Sequence, residues 1–181
     1  SVLHKNQLLE RPIHIISANM HSVMNSLFAK GTLKGAESKK DIFETYEILS
    51  DSKNSALRNK VEKSALQNGM IYIKDTSGTN IDVQIFDTDK IDFSKSEFNY
   101  LEKDKKNKAV LFVMDYAFGE QAYETLDEFL KPIKVNGKKV HLDIKSISIM
   151  GKAGILEGGK GDVMIPTAHI FEGTADNYPF K

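Results

Sequence analysis

An uninterrupted apolar run, Ala109 to Met114, limits what this chain can fold into more than any other stretch of its sequence. A run without a polar face is typical of a central strand in a sheet that is covered on both sides. Gly119 follows as a turn residue, and Pro132 ends a stripe at helical spacing that consists of Ala122, Leu126, Phe129 and Leu130. The stretch predicts a strand and then a helix, the unit from which α/β domains are built.

Similar units are predicted on both sides of this run. A buried strand from Ile13 to Ile16 leads through a turn at Ser17–Asn19 into a helix that stops at Gly31. Residues 36–68 have a polar helical pattern, and residues 69–87 contain two strands around a Thr-Ser-Gly-Thr-Asn turn. An Asn-Gly turn precedes a strand that reaches Gly151, and "DVMIPTAHIF" predicts one more strand. The order of these elements indicates an α/β domain.

Three of the apolar strands end in turns with unusual residues, after Ile16, after Met114 and after Met150. Ligands of open α/β sheets bind outside the carboxyl ends of the strands. We therefore expect any binding site of this protein to include these three turns.

The composition excludes several classes of partner. The 25 basic and 25 acidic residues cancel, so no basic excess favours nucleic acid or an anionic membrane surface. Cysteine is absent, which excludes disulfides and thiolate metal sites and fits a cytoplasmic protein. The apolar runs are too short for a membrane helix, and the histidines lack the spacing of metal ligands. Arginine occurs only at Arg11 and Arg58, so a phosphate would have to be held by lysine, hydroxyl or backbone N–H groups.

The glycine-rich stretch "IMGKAGILEGGKGDVMIP" is the most unusual part of the chain, and two interpretations of it stand side by side. Small residues at Gly151, Ala153 and Gly154 would let a flat ligand lie directly on the backbone. Alternatively, they form a tight turn that needs positive φ. Lys152 in the same turn would either hold a phosphate or be solvated, and Asp162 is expected to accept backbone hydrogen bonds within a turn.

Two further regions carry polar groups suited to a sugar or a base. "FEGTADNYPF" contains Glu172 and Thr174, which could bind sugar hydroxyls, and Tyr178, which could cover an apolar face. An ordinary polar loop would have the same composition. His21, in the first turn after the first strand, is the best placed of the five histidines for binding.

Taken together, "SISIMGKAGILEGGKGDVMIPTAHIFEGTADNY" resembles the purine nucleoside phosphorylase/nucleosidase superfamily, and in particular bacterial AMP nucleosidases. Members of that superfamily carry a strand ending in Gly-x-x-Gly-Gly, then Gly-Asp before a strand with Ile-Pro, then Glu-Gly-Thr and Tyr. The matching positions here are Gly151, Ala153, Gly154, Gly161, Asp162, Pro166, Glu172, Gly173, Thr174 and Tyr178. Ser17-Ala18 and Gly119 resemble less specific turns of the same superfamily.

The resemblance implies a three-layer αβα fold with a mixed central sheet, in one domain over residues 1–181 that has a helical insertion at about 36–68 and lacks the C-terminal part of the fold. It implies a purine nucleoside or nucleotide as ligand, hydrolysis of its N-glycosidic bond, a homo-oligomer, and neither a metal nor a redox cofactor. Ala153 and Gly154 would face the base and Lys152 a 5′-phosphate. Ser17, Ala18 and His21 would face the sugar or phosphate, with Glu172, Thr174 and Tyr178 at the rim.

Departures from the superfamily pattern leave alternatives open. Ile155 replaces the second glycine of the Gly-Gly pair, and Ile149 stands where phosphorylases commonly have arginine, which favours hydrolysis over phosphorolysis. The superfamily's ribose-binding Met-Glu and its catalytic aspartate belong to later strands that have no counterpart here, so the catalytic residues stay unassigned. The alternatives are a non-catalytic nucleotide- or nucleoside-binding protein of the same fold and a structural module without a ligand.

Overall fold

The computed structural model describes residues 2–33, 41–99, 108–117, 119–151, 156–159 and 161–165. Contacts between residues divide the chain into two units, Ser1–Gly151 and Lys152–Lys181. The first unit contains the sheet and its helices. In the described part of the second unit, Asp162 accepts a hydrogen bond from the Gly159 N–H at 2.8 Å, as expected for a turn acceptor.

A mixed five-stranded sheet forms the centre of the first unit, in the order β2-β3-β4-β1-β7. β1 pairs in parallel with both β4 and β7, whereas β3 is antiparallel to β2 and to β4. β5 and β6 form a separate hairpin around the predicted Asn-Gly turn. The strands are β1 (Ile13–Ser17), β2 (Met70–Ile73), β3 (Val83–Asp87), β4 (Val110–Met114), β5 (Ile133–Val135), β6 (Lys138–Val140) and β7 (Ile144–Ile149).

Helices cover both faces of this sheet, which confirms the predicted α/β class and its three layers. On one face, Phe28 from a helix stacks on Phe86 of β3 with ring centroids 6.1 Å apart. On the other, Phe129 packs edge-on against Phe112 of β4 at 4.8 Å. The helices are α1 (Val2–Lys5), α2 (Met20–Thr32), α3 (Ile42–Ser50), α4 (Ser55–Gln67) and α5 (Gly119–Leu130). α2 and α4 pack on the first face, and α1 and α5 on the second.

The apolar run that opened the sequence forms β4, and its side chains alternate between the two layers. Val110, Phe112 and Met114 belong to the core beneath α5, while Val113 belongs to the core beneath α2. This division explains why the strand has no polar face, because both of its faces are covered.

Three sequence predictions need correction. The strand expected from the Asn-Gly turn to Gly151 is divided into β6 and β7 by residues 141–143. Leu130 is 56% exposed, so it does not complete the buried stripe of α5. Residues 161–165, where a strand was predicted to begin, adopt no strand, because the turn at Asp162 bends the backbone there; the remainder of that predicted strand lies outside the described residues.

A nearly buried ion pair fixes the amino edge of the sheet. Arg11 lies 2.6 Å from the Asp87 carboxylate at the end of β3, and the two side chains are only 15% and 7% exposed. The same guanidinium donates to the carbonyl oxygens of Lys108 and Ala109, just before β4. Arg11 therefore connects the segment before β1 to β3 and β4.

We predict that Arg11→Met lowers the free energy of unfolding by about 3 kcal/mol, because the Asp87 carboxylate stays buried without its main cation. Lys90, 3.4 Å from Asp87, keeps the loss near the lower end of the range for buried pairs. Urea unfolding measures the change. Lys131→Met is the control, since its ion pairs with Asp127 and Glu128 are exposed and should contribute far less. Equal losses of unfolding free energy in Arg11→Met and Lys131→Met would contradict this account.

Candidate ligand site at the carboxyl edge of the sheet

The turns after β1, β4 and β7 meet at one edge of the sheet, because these three strands are parallel neighbours. The Ala18 N–H donates to the Met114 carbonyl at 3.1 Å, and the Met150 N–H donates to the Ser17 carbonyl at 2.9 Å. The structure therefore brings together the three turns that the sequence singled out. We call this region the carboxyl edge.

The sequence-predicted residues of the first turn differ in their accessibility. Ser17 and Ala18 are buried at the end of β1, while His21 is exposed in the first turn of α2. Asn19 caps α2: its side chain accepts from the His21 N–H at 3.0 Å, and its carbonyl accepts from the Ser22 N–H. Of the three predicted residues, His21 is the one with a solvent-exposed side chain.

Gly119 and Gly151 have different reasons for being glycine. Gly119 begins α5 with a φ of 55°, a conformation that favours glycine, and lies open to solvent. Gly151 has no positive φ, and a methyl group placed on it would lie 3.9 Å from Cε1 of Tyr116, an ordinary contact. The explanation that the turn needs positive φ therefore does not apply to Gly151, and the packing of the described residues leaves room for a side chain there.

Tyr116 is a site residue that the sequence analysis missed. It follows β4 in the chain, yet its Cε1 lies 3.9 Å from the position that a methyl group on Gly151, which follows β7, would occupy. Since β1 lies between these two strands, the ring reaches toward Gly151 past the carboxyl end of β1. Tyr116 is 38% exposed, and Ile149 and Met150 beside Gly151 are 73% and 51% exposed. The signal in the sequence was its position two residues beyond a buried strand.

The loop between β2 and β3 supplies carboxylates to the same edge. Asp82 accepts hydrogen bonds from the Asp75 N–H at 2.8 Å and from the Tyr72 hydroxyl. Asp75 accepts from the Ser77 hydroxyl and from three backbone N–H groups of its own loop. The Asp115 N–H donates to the Asp82 carbonyl at 3.2 Å, which joins this loop to the turn after β4.

These hydrogen bonds shift three pKa values. The Ser77 hydroxyl and backbone hold the pKa of the Asp75 carboxyl well below its usual range. The Asp75 N–H, and then the Tyr72 hydroxyl, lower the pKa of Asp82. The bond to Asp82 raises the pKa of Tyr72 to about 12. Asp75 and Asp82 therefore stay ionised and serve as hydrogen-bond acceptors rather than acids.

The Asp115 carboxylate accepts fewer hydrogen bonds than those of Asp75 and Asp82. Its Oδ1 accepts from the Tyr116 N–H at 2.8 Å, and Oδ2 has no hydrogen-bond partner within the described ranges. The side chain is half-buried directly after the last residue of β4. Asp115 therefore keeps one carboxylate oxygen available to a ligand.

A cavity lies at the opposite edge, between the C-terminal ends of α2 and α4. It has a volume of about 190 Å³ and is lined in part by Gly31, Asn68, Asp92 and Lys95. Asp92 and Lys95 pair with each other at 2.9 Å. The two charged groups of this cavity are thus paired with each other, and none of the turns that the sequence singled out lies here, so the carboxyl edge is the better candidate.

Several predicted site residues lie outside the described residues: Lys152, Ala153, Gly154, Glu172, Thr174 and Tyr178. Among the residues that the structure does describe, no cluster of three or more histidine or acidic side chains could hold a metal ion. No helix of this described part is long and apolar enough to cross a membrane.

Comparison with known proteins identifies one family. A model described as "Family of unknown function (DUF6909)" matches residues 41–181, which is more than half of the chain, and the chain belongs to this family. No curated protein and no solved structure matches the sequence or the fold.

We predict that Tyr72 ionises near pH 12, about two units above an ordinary tyrosine, because its hydroxyl donates to the Asp82 carboxylate. Ultraviolet absorbance of tyrosinate, compared with a Tyr72→Phe variant, isolates this step. Asp82→Asn should lower the pKa of Tyr72, since the neutral amide no longer opposes the phenolate. An unchanged titration in Asp82→Asn would show that this hydrogen bond does not control Tyr72.

The same shift gives a pH dependence of stability. Tyr72 holds its proton more tightly in the folded protein than in the unfolded chain, so its contribution is present below pH ~10. It is lost as the pH rises to about 12. Urea unfolding across this pH range should show a smaller loss of unfolding free energy for Tyr72→Phe than for the natural protein.

Proposed function

We propose that this member of the DUF6909 family binds purine nucleosides or nucleotides at the carboxyl edge and hydrolyses their N-glycosidic bond. The observation that carries the proposal is the meeting of Ser17-Ala18, the turn after Met114, and Gly151 at one edge of the sheet. Gly151 belongs to the stretch through which the sequence resembles the nucleoside phosphorylase/nucleosidase superfamily, and Ser17-Ala18 and Gly119 resemble less specific turns of that superfamily. The likeness of the sequence and the convergence of the turns are independent of each other.

The surroundings of Gly151 suit a flat heterocyclic base. Gly151 has no side chain above its backbone, and among the described residues only the Tyr116 ring comes within 4 Å of the space a side chain would take. The Tyr116 ring on one side and the exposed Ile149 and Met150 on the other supply apolar area. An aromatic side chain pairs with a planar ring by offset stacking or edge contact, which adds about 0.5–1.5 kcal/mol beyond the area buried.

The proposed reaction is hydrolysis. A water oxygen forms a bond to the anomeric carbon of the sugar, and the bond from that carbon to the base nitrogen breaks. The bonding electrons leave with the base, which takes up a proton, and the attacking water loses one to a carboxylate or to solvent. The transition state resembles an oxocarbenium ion, so negative groups near the sugar would stabilise it.

A second candidate function is nucleoside binding without catalysis. The pKa values of Asp75 and Asp82 are lowered, so neither carboxyl is protonated near neutral pH to act as an acid toward the departing base. A hydrolase would therefore need its acid elsewhere. Release of free base distinguishes the hydrolase from the binder.

The direct test incubates the protein with adenosine, inosine and AMP, with and without phosphate, and follows free base by chromatography. We expect release without phosphate. Release only with phosphate would make the protein a phosphorylase. Ligand-induced stabilisation without release would favour the binder, since a ligand at ~100 times its Kd adds about 2.7 kcal/mol of stability. The absence of both effects would overturn the proposal.

Gly151→Ala tests the site without disturbing the fold. Its methyl group meets only an ordinary contact with Tyr116, so stability should be unchanged or slightly higher. The methyl group would occupy the space where the base is proposed to lie, so we expect roughly tenfold weaker binding, the cost of about 1.4 kcal/mol of poor contact. Gly159→Ala is a matched control, since Gly159 also has no positive φ and its nearest neighbour would be 3.9 Å away. Full affinity in Gly151→Ala would remove Gly151 from the site.

A further inference from the structure

We infer that the carboxyl edge takes an uncharged nucleoside in preference to a nucleotide, and that Asp115 binds the hydroxyl groups of its sugar. The inference rests on the proposed function, and it differs from the sequence-based expectation that Lys152 holds a 5′-phosphate. Three independent features of the described residues support it: the charge of the edge, the residues at the N-termini of α2 and α5, and the positions of the arginines.

The charge of the carboxyl edge is unfavourable for a phosphate. Asp75 and Asp82 are ionised there, and Asp115 is joined to Asp82 through a backbone hydrogen bond. Lys74 is a cation whose charge helps to lower the pKa of Asp82. A phosphate monoester carries nearly two negative charges at neutral pH, and like charges at close range in a site lower affinity strongly. A neutral nucleoside avoids this repulsion.

The helix N-termini at the carboxyl edge are poorly suited to an anion, in α2 because N–H groups are capped and in α5 because the first turn is acidic. A helix N-terminus binds phosphate through free N–H groups and the positive end of its dipole. In α2, the Asn19 side chain and carbonyl accept from the His21 and Ser22 N–H groups. In α5, Glu120 in the first turn supplies negative charge of its own. Neither N-terminus resembles a vacant phosphate site.

Both arginines of the chain are engaged elsewhere. Arg11 binds Asp87 and two carbonyls at the amino edge, the far end of the sheet. Arg58 donates to the carbonyl oxygens of Leu49, Asp51 and Ser52, where it joins the end of α3 to α4. Neither guanidinium is therefore available for bidentate binding of a phosphate.

Asp115 fits the sugar end of a nucleoside. Its Oδ1 is held by the Tyr116 N–H, which orients the carboxylate, and Oδ2 has no partner among the described residues. Tyr116, the next residue, has its ring beside the open space at Gly151, since its Cε1 lies 3.9 Å from where a methyl group on Gly151 would stand, and the base is proposed to lie there. A base beside Tyr116 would bring its sugar hydroxyls near Asp115. Vicinal hydroxyl groups are donors that a carboxylate binds well, because hydrogen bonds to a charged acceptor are stronger than those between neutral groups.

The experiment measures the affinities of adenosine, AMP and 2′,3′-dideoxyadenosine by calorimetric titration of the natural protein and of Asp115→Asn. We expect AMP to bind roughly tenfold or more weakly than adenosine, and the difference to shrink at high salt as the repulsion is screened. Dideoxyadenosine should also bind about tenfold more weakly than adenosine, since it lacks both hydroxyls.

Asp115→Asn should weaken the binding of adenosine about tenfold and leave the binding of dideoxyadenosine nearly unchanged. It should also reduce the difference in affinity between adenosine and AMP. Asp92→Asn is the matched control, because it makes the same change in net charge at the opposite edge and should alter none of these ratios. Thermal unfolding of each variant verifies that it is folded.

The outcomes separate this inference from the function on which it rests. AMP binding as tightly as adenosine, or more tightly, would overturn the inference while supporting a nucleotide-specific form of the proposed function. If Asp115→Asn lost affinity equally for adenosine and for dideoxyadenosine, the proposed role of Asp115 would be overturned. No binding of any of the three ligands to the natural protein would overturn the proposed function itself.

Discussion

Parallel pairing of β1 with both β4 and β7 constrains the rest of this protein, because it brings three chain turns that are distant in the sequence to one edge. The pairing runs along all of β1, from Ile13 to Ser17. Parallel strands need crossover connections, and these connections carry α2 and α5 to opposite faces. The same pairing thus determines the three layers and the location of the candidate site.

The two edges of the sheet differ in how their polar groups are used. At the amino edge, Arg11 and Asp87 satisfy each other and hold β3 and β4 together. At the carboxyl edge, within the described part of the chain, Asp115 retains an oxygen without a partner and Gly151 leaves open space above its backbone. Polar groups satisfied within the protein indicate a structural role, while open space and an available acceptor indicate recognition.

Much of this arrangement could be predicted from the sequence, for reasons that particular residues make clear. The apolar run of β4, the strand–turn–helix around Ser17 and the helices of residues 42–67 are local patterns, and each is confirmed. The order of strands, and the approach of the Tyr116 ring to Gly151, depend on long-range pairing that periodicity does not encode. The sequence analysis therefore found the turns but overlooked Asp115 and Tyr116, whose roles emerge only once β1 is seen between β4 and β7.

The most direct test of the carboxyl edge as a single binding site is hydrogen–deuterium exchange with and without saturating adenosine. The account predicts slower exchange together in residues 17–22, 115–119 and 149–151, because a ligand there touches all three turns. Slower exchange confined to residues 27–32 and 92–95, around the cavity at the opposite edge, would contradict it. So would protection of only one of the three turns, since the site as proposed depends on their meeting.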